Sequence, residues 1–532
     1  VRLRFVLLNV GAVLLGLAIV VVPALVASPD VAHAPVIEAA AEQVAPVTEP
    51  PATPTPTLTG RPGPGNALAP NPEAASPSTV GQRLAARVTV TTVNAGATIG
   101  VAVLDADGDP VYGFDEDAAM LPASTQKLFV AAAALNRLGP EFRFRTEVAG
   151  TGPIVDGVLQ GDLVLLGSID PVLATPSFAQ HVNPQRPRTP LEALADQVAA
   201  AGVTHIAGGV LGDPSVLPHQ PEAPGWLPRY LTSGNTTRSS GLTVDAGRRL
   251  FVERGRWQSA PSADPAAEAA ASLASLLAER DVTLGGGVGA TPGSPADAQV
   301  LGTVQSPPLH DLLRHMVQRS DNHLADALFR AVGRADGDGS WASAAKGTRA
   351  ALAPLGLDLS AGVLADGSGL SRDDRSTART LVELDQRMTR SQHGPLWRSL
   401  MAVSGESGTL RRRLVGTVAE RRVLGKTGSL TGVRTLSGTV EGPEGARYHF
   451  AVLGNGLDPS GDEALRALQD DIVLALTEDL YDCVRVLVPV PPDELADPQP
   501  SEPSEPDVTP TPAPTPAPEP TPEMRLELVC AS

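Results

Sequence analysis

Only three of the 41 basic residues in this 532-residue chain are lysine: Lys127, Lys346 and Lys426. Two of them stand in short polar signatures, Ser124-Thr125-Gln126-Lys127 and Lys426-Thr427-Gly428. Arginine keeps its proton in a protein, whereas a buried lysine can release it and act as a base. Lysine retained beside serine in an arginine-rich chain therefore points to proton transfer. Lys346, in Ala345-Lys346-Gly347, reads as an accident of position.

Ser124 and Lys127 are three residues apart, just after Pro122-Ala123, where a helix would begin. On a helix, positions i and i+3 share a face, so hydroxyl and amine can meet. A serine hydroxyl is a poor nucleophile until a base takes its proton. Lys127 could be that base if burial and a second cation lower its pKa, and Lys426 is the candidate for that cation. Ser124 at a helix N-terminus would also gain from the helix dipole and from free N–H groups as negative charge develops. A second signature, Ser320-Asp321-Asn322, falls in the break between two helical stretches. The third, Lys426-Thr427-Gly428-Ser429, is expected on a strand, where glycine admits a closely approaching backbone or ligand. Each is weak alone. All three in this order form the set used by class A β-lactamases and penicillin-binding proteins.

The elements that must position these residues can be read from periodicity. Thr98–Leu104 and Pro110–Phe114 read as strands joined by the acidic turn Asp105–Asp109, whose spacing is wrong for a calcium loop. Lys127–Arg137 reads as a helix carrying a run of alanines. Leu309, Leu312, Leu313 and Met316 mark one helical face, and Leu324, Ala327, Leu328 and Ala331 another. Arg421–Val440 and Ala446–Gly454 read as strands around the turn Glu441–Glu444. Leu465, Leu468, Ile472 and Leu476 mark a last amphipathic helix. The order implies an α+β fold, a sheet covered by helices, with residues 151–299 long enough to be an inserted domain.

Composition sets the surroundings. The N-terminus reads Val1-Arg2-Leu3-Arg4 and then an apolar run to Ala27, an export signal or an uncleaved anchor. Pro35 after the small-x-small site Ala32-His33-Ala34 favours the anchor, which would place residues 1–4 in the cytoplasm and the rest outside. Residues 28–80 are a Pro/Ala/Thr-rich linker. The penicillin-binding-type body would occupy 81–150 and 300–486, around the insertion. Residues 487–532 form a Pro-rich tail, in which nine Asp/Glu face one Arg from Pro491 on. Net charge is −18 without a basic patch, which argues against nucleic acid. Cys483 and Cys530 could form a disulfide outside the cytoplasm or remain two thiols. His310 and His315 are five apart, the wrong spacing for H-E-x-x-H, so no metal site is expected. His323 reads as a surface or supporting residue. Arg411-Arg412-Arg413 reads as a solvated charge run, one member of which could reach a substrate carboxylate. Asn235-Thr236-Thr237 fits the short glycosylation sequon.

From about residue 85 to 480 the chain resembles the D-alanyl-D-alanine carboxypeptidases/endopeptidases of the class C low-molecular-mass penicillin-binding proteins. The resemblance rests on the three signatures and on Pro122–Leu128, Gly161-Asp162-Leu163 with Asp170-Pro171, Ser306–Leu309, Ser320–Asp326, Asp366–Ser371 and Gly408-Thr409-Leu410. The long insertion between Lys127 and Ser320 is also family-like, and class A β-lactamases lack it. The resemblance implies the penicillin-binding/serine β-lactamase-like transpeptidase fold, an antiparallel sheet covered by helices, with an inserted, mostly-β domain. It implies that Ser124 attacks the carbonyl between the two terminal D-alanines of a peptidoglycan stem peptide while Lys127 takes its proton. The oxyanion would sit between the backbone N–H groups of Ser124 and Ser429. Ser320 would relay a proton to the leaving amine, and Asn322 would hold the substrate's amide backbone. Lys426, Thr427 and Gly428 would bind the end that carries the terminal carboxylate. No cofactor or metal is implied. The partners implied are peptidoglycan peptides, with β-lactam antibiotics as inhibitors. Rival readings are a serine β-lactamase or esterase on the same scaffold, and a catalytically idle wall-binding protein. Two departures stand out: Ser429 replaces the usual Thr after K-T-G, and Pro224–Tyr230 lacks the acids that usually follow its Trp. The second puts a pocket for a diaminopimelate ammonium in doubt.

Overall fold

The computed structural model describes residues 79–90, 97–295, 297–489 and 524–530. The expected anchor at 1–27, nearly all of the linker and most of the tail lie outside the described residues.

Six antiparallel strands form the main sheet, in the order Ala402–Val403, Val423–Leu430, Val433–Glu441, Arg447–Asn455, Thr98–Asp105, Pro110–Phe114. Alternation along a strand sends neighbours to opposite faces. Val101 and Val103 join Leu436, Phe450 and Val452 beneath the helices Thr79–Val90 and Pro459–Leu480. Ala102 and Leu104 face the other way, with Ala451 and Leu453, towards Gln126–Leu138 and Ala378–Arg390. Both faces being covered explains why these strands are apolar almost throughout. The helix Pro459–Leu480 starts where the sequence provides for it: Asp458 accepts from Gly461 N (2.8 Å), and Pro459 occupies the first turn.

Helix Gln126–Leu138 is buried all round from Gln126 to Leu135, so it runs through the core rather than along the surface. Its alanines let the helices Asn322–Asp336 and Trp341–Leu352 pack closely on it. The acidic turn is a hairpin turn, with Asp105 Oδ1 accepting from the N–H groups of Asp107, Gly108 and Asp109.

The inserted stretch builds its own sheet, in the order Val288–Ala290, Val210–Asp213, Leu163–Leu166, Arg145–Gly150, Gln299–Gln305. The pairings among the first three strands are parallel, and the last two pairings are antiparallel. Helices Glu192–Ala200 and Pro265–Ala278 close a separate apolar core over it, with Leu165, Val198, Leu273 and Leu277 at 0% exposure. Strand residues outnumber helical ones here, but these two helices fill the core. The stretch leaves and returns at one point: Ser306 N donates to Phe144 O, and Phe144 N donates to Ser306 Oγ, each at 2.9 Å.

Two expectations change. Arg421–Val440 is not one strand but a hairpin that turns at Thr431-Gly432, where Gly432 has φ +75° and Leu430 pairs with Val433. Two-residue turns need a positive φ, and this glycine supplies it. The tail is also not extended spacer throughout. Val484–Pro489 pairs antiparallel with Met524–Val529, and a Cys483–Cys530 disulfide closes the ribbon. Averaged composition hid these two short runs rich in Val and Leu inside a Pro-rich, acidic segment.

Candidate active site

Ser124 lies in a single 3-10 turn, Ala123–Thr125, immediately before the buried helix. The turn is held under backbone strain, since Ala123 has φ +46°. Its anchor is the carbonyl of Pro122, which accepts from Thr125 N (3.2 Å), Thr125 Oγ1 (2.6 Å) and Thr435 Oγ1 (2.9 Å). Thr435 belongs to the second strand of the Thr431-Gly432 hairpin, so the sheet itself fixes the Ser124 turn. Gly428 makes this closeness possible: a Cβ there would lie 2.2 Å from Thr435 Oγ1 and 2.9 Å from Ser124 N. Gly369, at φ +79°, passes even closer, and its Cβ would meet Ala123 O at 1.9 Å.

Lys127 is fully buried. Its Nζ donates to Ser124 Oγ (3.0 Å), Asn322 Oδ1 (2.8 Å) and the Ser368 carbonyl (2.5 Å). All three acceptors are uncharged. Burial pushes its pKa down to about 8, against the pull of the carboxylates of Asp326, Asp366, Asp321 and Asp374. Lys426 is equally buried, and its Nζ donates to Ser320 Oγ (2.9 Å) and to the Thr427 carbonyl (2.7 Å). Burial first, then the charge of Lys127, hold its pKa well below the usual lysine value. Of the two expected causes, burial acts as expected and the second cation does not. Desolvation is the main cause of the lowered Lys127 pKa, and the repulsion between the two amines falls on Lys426.

Ser320 caps the helix Leu309–Arg319 in the left-handed conformation (φ +59°, ψ +41°). Asp321 then starts the next helix by accepting from Leu324 N at 3.0 Å. That break turns Ser320 towards Lys426 and Asn322 towards Lys127. Burial would raise the pKa of Asp321, but Arg186, at 3.2 Å, and His315 keep it well below the usual carboxylate range.

The strand that carries Lys426 is open on its outer edge beyond Gly425, because Ala402–Val403 pairs only with Gly425 and Leu424. Glu441 N donates to Arg422 O, and alternation from there points the N–H groups of Thr427 and Ser429 away from the hairpin partner, towards that open edge. The Ser429 hydroxyl accepts from Arg434 Nη1 at 3.1 Å.

The structure thus gathers Ser124, Lys127, Ser320, Asn322, Lys426 and Gly428 into one cleft, with Thr427 and Ser429 along its edge strand. Sequence reasoning assigned no role to the loop Asp366–Ser371, which holds the Lys127 amine. Asp326 accepts from Gly367 N (3.1 Å) and Ser368 N (2.9 Å), and so aims the Ser368 carbonyl at Lys127. Asp366 accepts from Ser368 Oγ, Gly369 N, Ser371 N and Trp226 Nε1 at 2.6–2.9 Å. The signal was present as an acid followed by Gly-Ser-Gly, the composition of a self-bonded turn. Asn235 was also missed: its carbonyl accepts from Asn322 Nδ2 at 2.8 Å, so the sequon-like segment is a wall of the cleft. Arg413 is not solvated. It is buried and bonded to Asp470 (2.6 Å), while Arg411 and Arg412 are exposed. The Pro224–Tyr230 segment packs on the Asp366 loop, with Arg372 Nε donating to Tyr230 OH at 3.3 Å.

The model of the D-Ala-D-Ala carboxypeptidase 3 (S13) family matches residues 82–256 and 252–479. This chain belongs to that family. It is 32% identical over 457 residues to the D-alanyl-D-alanine carboxypeptidase of Actinomadura sp. (strain R39), covering 72% of this chain and 82% of the relative. It is 34% identical over 360 residues to the carboxypeptidase DacB of Mycolicibacterium smegmatis, covering 66% and 74%. Penicillin-binding protein 4 of Haemophilus influenzae superposes with a TM-score of 0.63 at 24% identity, over 76% of this chain and 99% of that one. The likeness to that structure establishes the penicillin-binding fold.

Proposed function

We infer that this chain is a serine-type D-Ala-D-Ala carboxypeptidase that works through an acyl-enzyme and is acylated by penicillins. The observation that carries the reading is the fully buried Lys127 amine, 3.0 Å from Ser124 Oγ, bonded to no carboxylate and easily deprotonated. Ser124 Oγ attacks the penultimate D-alanine carbonyl as its proton passes to Lys127. The N–H groups of Ser124 and Ser429 take the oxyanion. Collapse breaks the C–N bond, and the departing D-alanine amine gains a proton through Ser320. Lys426 and Thr427 hold the terminal carboxylate. Lys426 has only neutral oxygens as partners before substrate arrives. Asn322, fixed between Lys127 and Asn235, orients the peptide. Water then cleaves the ester and restores Ser124. Cleavage of cross-links is a companion activity of the same machinery. The enzyme works outside the cytoplasm, on the wall, tethered by residues 1–27.

Intact-mass measurement after incubation with benzylpenicillin tests the reading. The wild type should gain one adduct and release D-alanine from a stem pentapeptide, and Ser124→Ala should do neither. Fast penicillin turnover without D-alanine release would favour a β-lactamase. Silence in both assays would favour an idle scaffold.

A further inference from the structure

Asp366 is buried, at 0% exposure, and its carboxylate collects four donors, all uncharged. Three belong to its own loop. Gly369 N reaches Oδ1 (2.6 Å), and Ser368 Oγ and Ser371 N each reach Oδ2 (2.9 Å). The fourth comes from the insertion, where Trp226 Nε1 donates to Oδ2 at 2.7 Å. Beside that indole the insertion grips the loop twice more. Ser371 Oγ donates to the Pro224 carbonyl (2.6 Å), and Arg372 N donates to the Gly225 carbonyl (3.1 Å). Gly225, at φ +74°, leaves no room between the two segments, since a Cβ there would lie 2.5 Å from Ser371 Oγ. Trp226 is itself steadied edge-on by Trp341, with ring centroids 5.8 Å apart. A buried carboxylate without a cation partner is placed by its hydrogen bonds, and losing one is costly.

What Asp366 places is an acceptor of the Lys127 amine. Ser368 is tied to the carboxylate by its hydroxyl, and its carbonyl accepts from Lys127 Nζ. Three hydrogen bonds therefore lead from the insertion to the amine: Trp226 to Asp366, Ser368 to Asp366, and Lys127 to Ser368. We propose that Trp226 is a positioning residue for Lys127, through which the insertion sets the geometry of the amine. The proposal rests on the peptidase reading above. The charged groups that face Lys127 are Asp326 from the helix Asn322–Asp336, Asp321 from the break before it, Asp366 and Asp374 from the loop region, and Lys426 from the sheet. Trp226→Phe alters none of them. It removes one N–H and keeps the aromatic packing. Without that N–H the Ser368 carbonyl is free to turn aside. An ammonium that loses a neutral acceptor in a dry site is less stable, so the Lys127 pKa falls further below about 8. General loosening does the reverse, because returning water brings the amine back up towards its ordinary value.

The direction of that shift is the test. Only three lysines are present, so protein carrying 13C at lysine Cε gives three signals, which Lys127→Arg and Lys346→Arg assign. Exposed Lys346 serves as the internal reference. In the wild type, the Lys127 signal should titrate near pH 8. In Trp226→Phe its midpoint should lie about half a unit to one unit lower, and acylation by benzylpenicillin should slow about tenfold as the amine loses its alignment. Trp341→Phe is the control. It removes a comparable N–H from the same aromatic pair, one that donates to the Gln220 carbonyl at 3.2 Å, and should change neither quantity. An unmoved or raised Lys127 midpoint in Trp226→Phe would overturn the proposal. So would wild-type acylation in that variant, or an equal downward shift in Trp341→Phe. A downward shift confined to Trp226→Phe, in a protein that forms no penicillin adduct and releases no D-alanine, would sustain the coupling and sink the peptidase reading instead.

Discussion

The chain contains the Ser-x-x-Lys spacing twice, at Ser124 to Lys127 and at Ser343 to Lys346, each near the start of a helix. At the first, the lysine is fully buried and reaches the serine at 3.0 Å. At the second, Lys346 is exposed, and Ser343 Oγ donates instead to the Gly333 carbonyl at 2.9 Å. Equal spacing thus gives a buried amine on a hydroxyl in one place and a solvated cation in the other. Burial decides between them, because removing water from an ammonium is what lowers its pKa. Burial alone is not sufficient either. Arg330, on the helix that follows Ser-Asp-Asn, is also at 0% exposure, and its neutral partners are the carbonyls of Gly339, Gln220 and Pro218 and the hydroxyl of Ser239. Burial lowers its pKa only to about 10, so it stays charged and ties the insertion to the helical layer. Chemistry appears where an amine, rather than a guanidinium, meets both burial and a hydroxyl.

Lys127→Arg is the sharpest way to break this comparison. It keeps the charge and removes the base, so penicillin acylation should fall by about a thousandfold or more, within the range for lost general-base catalysis. Stopped-flow or quenched acylation rates near wild type would refute the role. Gly369→Ala should follow, with a loss of about a hundredfold, because its Cβ would collide with Ala123 O at a left-handed position and displace Ser124. Pentapeptide kcat/KM reads the effect, and an unchanged value would mean that the turn is not held there. A pH series should show a smaller change. A lowered amine pKa means that the free base grows as pH rises, so acylation should climb about tenfold between pH 7 and 9 and level off above about 8. A flat profile over that range would separate Lys127 from the rate. Lys346→Arg should have the least effect, leaving both acylation and melting temperature unchanged within error.

Legibility divided along sequence distance. The acidic turn, the alanine-rich helix, the Ser320 break and the capped C-terminal helix were readable because periodicity and caps are local properties. The Thr431-Gly432 turn was overlooked because Gly425, Gly428 and Gly438 interrupt the same stretch without turning it, so this glycine did not stand out. The Asp366 loop, the Asn235 contact and the burial of Arg413 were not readable, because each depends on residues far apart in the chain meeting in space. The sequence suggested that burial and Lys426 together depressed the Lys127 pKa, and packing assigned that work to desolvation alone.

By itself the sequence determined the proposed reacting groups. It set a hydroxyl and an amine one helical turn apart, a serine and an asparagine across a helix break, and a glycine where a strand must pass close to another backbone. Tertiary structure decided which lysine loses its water, which carbonyl aims it, and which arginines, Arg330 and Arg413 among them, are buried. The physical reason is that spacing along a chain is fixed by covalent geometry, whereas desolvation is a property of the space that the whole fold encloses.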